Sequence, residues 1–265
     1  MLGSVMVEPM PMPELLEKFG FTFKNGSVHT KRTMMLNELV MVLEELPLGA
    51  GLEEYGKAII EENCTHKPST TTRKFTASYL KDLYALDHQL LLFRALRKFW
   101  GENNGLLAFL VAHARDSILR KLTPYILAVP IGTKPSKPQL LDKIEQAYPN
   151  RFSEVMKSSL SRNILSTWTQ SGHLEGSKNK VRVTPSLTPE VVTMALLMDY
   201  VNGHRGELIF QGPYTNLLNS SPSRVMELAE SASRKGLMVF KKIGSVVEVQ
   251  FPELLSSEER DWLRE

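Results

Sequence analysis

The amino-acid sequence predicts a mainly α fold, with a helical N-terminal domain (1–127) and two further units, 136–185 and 186–256, each closed by a short β-hairpin. Three observations predict it. Apolar residues recur at helical spacing through the first half, with no alternating run of useful length. A proline-rich stretch, 128–138 (AVPIGTKPSKP), reads as a linker between domains. Beyond it the order helix, glycine, strand, turn, V-x-V strand and proline occurs twice, ending at Pro185 and at Pro252.

In the first domain, residues 1–30 read as loop, with Pro9, Pro11 and Pro13, a short helical stretch over 14–19 and a turn at Asn25-Gly26. Met35, Leu36, Leu39, Val40 and Leu43 fall on one side of a helix over 32–45, and another helix covers 52–63. Residues 65–72 form a polar linker whose threonines suit caps better than helix interiors. Three helices follow. The first, 74–85, carries Leu80, Leu83 and Tyr84. The second, 88–100, carries Leu91, Leu92, Ala95 and Phe99, and Gly101 with Asn103-Asn104-Gly105 stops it. The third runs over 106–122.

In the unit 136–185, Ser136 caps a helix with Leu140, Leu141, Ile144 and Ala147 inward, ended by Pro149-Asn150. A second helical stretch starts near Phe152. A third, capped by Ser158 or Ser159, runs to Gln170 and buries Leu160, Ile164, Leu165 and Trp168. Its other face presents Ser158, Arg162, Ser166 and Thr169, with Ser161 beside them. Gly172 ends that helix. Leu174, the turn residues Gly176, Ser177 and Asn179, and the alternating Val181-Arg182-Val183 then make a hairpin decorated by Lys178, Lys180 and Arg182. Three helices followed by a basic hairpin is the order of a winged helix. Short hydroxyls let a helix backbone approach a DNA groove, and an arginine among them pairs with guanine or phosphate.

The last eighty residues repeat the plan. Val191, Ala195, Leu196 and Tyr200 define a helix stopped by Asn202-Gly203, and short elements cover 208–210 and 214–218. Ser221-Pro222 starts a helix with Val225, Leu228, Ala229 and Ala232 inward, and a hairpin pairs 237–242 with 245–251. Glu227 and Glu230 on that helix would repel phosphate. The unit is therefore assigned to protein contact, by docking or as a homodimer, with DNA contact left open through Lys241 and Lys242.

Charge follows the same division. Residues 1–64 hold 5 basic and 10 acidic side chains, residues 65–185 hold 19 and 8, and residues 186–265 hold 8 and 11. A net charge of +3 thus conceals a middle of +11, the footprint of a surface for a polyanion. Arg73, Lys74, Lys81, Arg94, Arg97 and Lys98 would extend this surface, Lys157 and His173 would add to it, and the whole would meet double-stranded DNA.

Catalysis finds no motif. There is no phosphate loop or dinucleotide fingerprint, Cys64 and His66 lack the second pair that a structural zinc needs, and the six histidines are scattered. The expectation is a protein that is not an enzyme and takes no cofactor or metal. The N-terminus lacks a basic signal-peptide region, and the longest apolar run, Leu106 to Ala112, is far short of the roughly 20 residues that span a bilayer. A cytoplasmic protein without a membrane partner is expected.

The stretch Ser159 to Val183, followed by the hairpin Leu237 to Phe251, resembles tandem winged-helix DNA-binding proteins. On the element order and the S-x-W-x-x-S-G-H-L stretch (Ser166 to Leu174), the chain also resembles the BrxA-like small accessory proteins of BREX phage-defence systems. The resemblance implies a helical N-terminal part, a winged-helix-like C-terminal part, and non-catalytic DNA binding in antiviral defence. The alternative is an adaptor whose units bind other protein subunits of a larger nucleic-acid-processing complex. Its 12 methionines suit adaptable apolar contacts.

Overall fold

Capping side chains start many of the helices in the computed structural model, which describes residues 12–101, 104–244 and 246–264. The readings of Pro9 and Pro11 as loop, of Asn103 as part of a helix stop and of Ser245 as the start of a strand lie outside the described residues. The N-terminal part comprises α1 (Pro13–Lys18), a 3-10 turn (Val28–Thr30), α2 (Leu36–Glu45), α3 (Leu52–Ile60), α4 (Thr70–Tyr84), α5 (Leu91–Lys98) and α6 (Asn104–Arg115). Ser69 caps α4 by accepting from Thr72 N, so the helix starts inside the stretch expected to be a threonine linker.

The helix expected over 106–122 is two. Asp116 leaves helical geometry, accepts from Leu119 N and starts α7 (Ser117–Ala128). Pro124 sits inside α7 without ending it. Next come α8 (Lys137–Ala147), capped by Ser136 as expected, and α9 (Glu154–Gln170). Helix α9 replaces the two separate helices expected near Phe152 and Ser158. Ser153 caps it through Met156 N, and no glycine or proline follows before Gln170, so nothing interrupts it at Ser158 or Ser159.

A short hairpin then pairs β1 (Leu174–Glu175) with β2 (Val181–Arg182). The proline-rich stretch supplies its third edge. Gly132 N donates to Arg182 O and Arg182 N to Thr133 O, both at 2.8 Å, so a segment expected to be a linker is stitched to the hairpin. The order is helix (α7), extended edge, helix (α8), helix (α9), hairpin. It recurs as α10 (Pro189–Val201), a 3-10 turn (Gly206–Gln211) lying against the later hairpin, α11 (Pro213–Leu217), α12 (Pro222–Arg234), and the pair β3 (Val239–Ile243) and β4 (Val246–Gln250). A last helix, α13 (Ser257–Trp262), was not expected.

With 58% helix and 6% strand in two antiparallel hairpins, the fold is mainly α. One continuous apolar core runs from Leu16 to Leu255. Helix α6 lies deep in it, buried from Leu106 through Ala114, and α10 packs on α5 and α6 as well as on α11 and α12. At its first turn α6 meets the end of α9 so closely that a Cβ on Gly105 would overlap the Gln170 carbonyl oxygen. Gly105→Ala is expected to destabilise by about 1–3 kcal/mol, since backbone there has no room to yield. Urea unfolding with an unchanged m-value checks this, and wild-type stability in the variant would refute the close contact.

Candidate nucleic-acid interface

Three faces of α9 have different fates. Leu160, Ile164 and Trp168 are fully buried, and the Trp168 ring meets Phe109 of α6 edge-on at 4.7 Å. A second flank is covered by the N-terminal segment 28–34. Asn163 donates to His29 O, Gln170 to Thr33 Oγ1, and Met34 N to Thr167 Oγ1. The third face stays open. It carries Arg162, exposed, with Ser158, Ser166 and Thr169 half-buried beside it, the residues at which the sequence places the reading surface.

The hairpin lies against the end of this face. Lys180 Nζ donates to Thr169 Oγ1 at 2.7 Å, and its partial burial lowers the amine pKa. Lys178 is exposed on the turn, where Gly176 takes a φ of 101° and leaves no space for a Cβ against the Asn179 carbonyl. Asn179 Oδ1 accepts from Lys134 at 2.7 Å. Lys134 is exposed, as is Lys137 in the first turn of α8. Both were missed because 128–138 read as a linker, yet the signal was present. Two lysines stand in the basic middle of the chain.

Several expected contacts are taken inside the molecule. Arg182 is fully buried and donates to the carbonyls of Ile126, His173 and Val183, tying α7 to the hairpin base. Arg97 is 6% exposed and donates to Leu43 O and Leu46 O at the end of α2. Lys157 is buried between Glu145 and Glu154, Ser161 is buried and donates back to Ser158 O, and His173 is sealed between Ser171 Oγ and the Leu217 carbonyl. None of these five presents itself to a ligand. Their polarity reads as surface in one dimension, whereas each is engaged by a carbonyl, carboxylate or hydroxyl of the chain itself in three.

The C-terminal segment occupies two more. Arg94 pairs with Glu259 of α13 at 2.7 Å and donates to Leu254 O, while Lys98 donates to Glu253 O. Arg73 is half-buried and donates to Lys67 O and Ile60 O. Lys74 and Lys81 are exposed on α4. On the second hairpin Lys241 and Lys242 are exposed, the first 3.8 Å from Glu248 and the second against Met226 Sδ.

Behind the open face stands a buried polar chain. Asp116 Oδ2 lies 2.9 Å from His29 Nδ1, and His29 Nε2 lies 2.9 Å from Thr167 Oγ1 on α9. Burial pushes the Asp116 carboxyl up, but the imidazole beside it and the donors Leu119 N and Ser27 Oγ outweigh this and hold it at about 2. Order alone suggests a nucleophilic triad. All three side chains are buried, however, and the threonine hydroxyl is held by Met34 N, so the chain locks the 28–34 segment onto α9. Among the described residues no three His, Cys, Asp or Glu side chains group as metal ligands, and no helix is long and apolar enough to cross a membrane. No protein-family profile matches this chain, and no curated protein matches it in sequence.

Proposed function

We propose that the chain is a non-catalytic DNA-binding accessory protein whose first winged-helix unit, α7 to β2, contacts duplex DNA. The observation that carries this reading is the open face of α9. Its one full charge, Arg162, stands among short hydroxyls, and the adjoining hairpin with the edge stitched to it adds Lys134, Lys178 and Lys180 without a carboxylate partner among their hydrogen bonds. The element order supports it too, since a helix after a helix, flanked by a strand edge and a hairpin, is how winged helices present a recognition helix. Lys74 and Lys81 would add phosphate contacts. A role beside a phage-defence machine is proposed on the resemblance alone.

Anisotropy of a fluorescent duplex of about 30 base pairs, titrated at roughly 50 and 200 mM salt, tests the reading. Neutralising four to six phosphates should give a log–log slope of roughly −4 to −5. Arg162→Ala with Lys180→Ala should weaken binding by about tenfold or more. Binding unchanged in the double variant, or absent at low salt, would overturn it.

The second unit favours a second reading for itself. Glu227 and Glu230 are exposed on α12, and the tip of its hairpin carries Ile243 and Val246, 81% and 69% exposed. We propose that this unit docks on another protein subunit or a second copy of the chain. Light scattering of the purified protein separates the homodimer from the docking case.

A further inference from the structure

We infer that the cleft between α4 and the 22–32 segment holds the bases of single-stranded nucleic acid. The inference takes nucleic acid as the partner, as the reading of α9 does, but rests on a different surface. The cleft measures about 350 Å³, and its lining includes Lys24, Thr30, Lys31, Tyr79, Asp82 and Arg115. That volume lies at the lower end of the range of small-molecule sites.

One ring, Tyr79, lines the cleft, and Phe75 stands beside it on α4. Phe75, half exposed, lies nearly parallel to Tyr79, with 11° between planes and 6.0 Å between centroids. Cations accompany them. Lys31 Nζ is 6.0 Å and the Arg32 guanidinium 5.8 Å from the Tyr79 ring, and both side chains are exposed. Phe23, between the lining residues Thr22 and Lys24 in sequence, is 42% exposed and has the Arg120 guanidinium 5.6 Å from its centre. Exposed rings interleaved with cations suit unpaired bases, because every base offers a π-face and every linkage a negative charge.

The chemistry of the cleft otherwise favours a ligand without its own acid groups at the base. Asp82 is exposed on the rim, and its carboxyl is pushed up by burial of one side despite Arg115 and Lys81 nearby. A carboxyl there can accept from a base N–H, such as thymine N3–H. Arg115 is spent on the carbonyls of Asp82, Lys81 and Gly20 and forms a fixed wall.

Position links the cleft to the duplex surface. The 28–32 segment that borders it is hydrogen-bonded to α9 through Asn163, one residue from Arg162, and Arg151 before α9 donates to Asn25 O. A strand separating from a duplex held on α9 would meet the rings next.

The experiment uses the full chain and a fluorescein-labelled dT12, with a blunt duplex in parallel. Phe75→Ala and Lys31→Ala, both at exposed positions that leave the core intact, should each weaken dT12 binding about fivefold or more. Phe75→Trp should retain binding and show its added fluorescence quenched by dT12. Arg162→Ala with Lys180→Ala should spare dT12. Equal dT12 affinity in wild type, Phe75→Ala and Lys31→Ala, or none in wild type, overturns the inference. Binding of dT12 through these residues with no duplex binding sustains it and removes the reading of α9 instead.

Discussion

Asp116→Ala is expected to lower the unfolding free energy by about 3–5 kcal/mol, because several buried donors lose their acceptor at a cost of about 1–3 kcal/mol each. The carboxylate is 2% exposed and accepts from Ser27 Oγ, Val28 N and Leu119 N, with His29 beside it. Alanine would leave these donors buried without an acceptor and remove the cap that starts α7. It would also free the 28–34 segment from α9. Urea denaturation measures the loss, with Glu230→Ala at an exposed position of α12 as a control expected within about 0.5 kcal/mol of wild type. A loss below about 1 kcal/mol would show that the buried chain holds nothing together.

Acid should unfold the protein through two imidazoles. His113 and His173 are buried among Phe109, Trp168 and Tyr214, and burial lowers both to about 3, with Arg120 also acting against a charge on His113. Both stay neutral in the folded state below pH 6.5, while in the unfolded chain both charge. Asp199 opposes them. Burial pushes it up to about 7 although Tyr214 N and Thr215 N donate to it. Between about pH 4.5 and 6.5 the unfolded state therefore holds two extra protons on the histidines and the folded state one on Asp199. Unfolding takes up one net proton, so stability falls as pH drops, by about 1.4 kcal/mol per pH unit. Asp199→Asn should double that slope and His113→Phe should abolish it, read from urea midpoints at several pH values. A flat profile in the wild-type protein would refute the assignment.

How much of this was legible in the sequence depends on whether the deciding partner was local. The capping serine Ser136, the glycine after α9, both hairpins and the order of elements up to β4 in the second unit depend on neighbours in the chain, and the sequence showed them. Asp116 as a helix break was not legible, because its cap is reinforced from Ser27 and Val28, nearly ninety residues earlier. Nor was the division of α9 into three faces, since the 28–34 segment covering one flank is remote in sequence. For the site, the open face of α9 was readable from spacing alone. The fate of the cations was not. Whether an arginine greets solvent or a carbonyl is decided by segments such as 253–259, whose acids and free carbonyls lie on Arg94 and Lys98. Periodicity cannot see that a basic stripe has been covered.

Helix α10 carries a mechanical consequence. Thirteen residues long and buried at ten of them, it sits against α5 and α6 on one side and α12 on the other. A swivel between the two units would have to pull buried side chains of α10, such as Val191, Leu196 and Met198, out of the core. The seam therefore transmits torque: a load placed on the second hairpin reaches α6, and through it the back of α9, as if through a stiff axle.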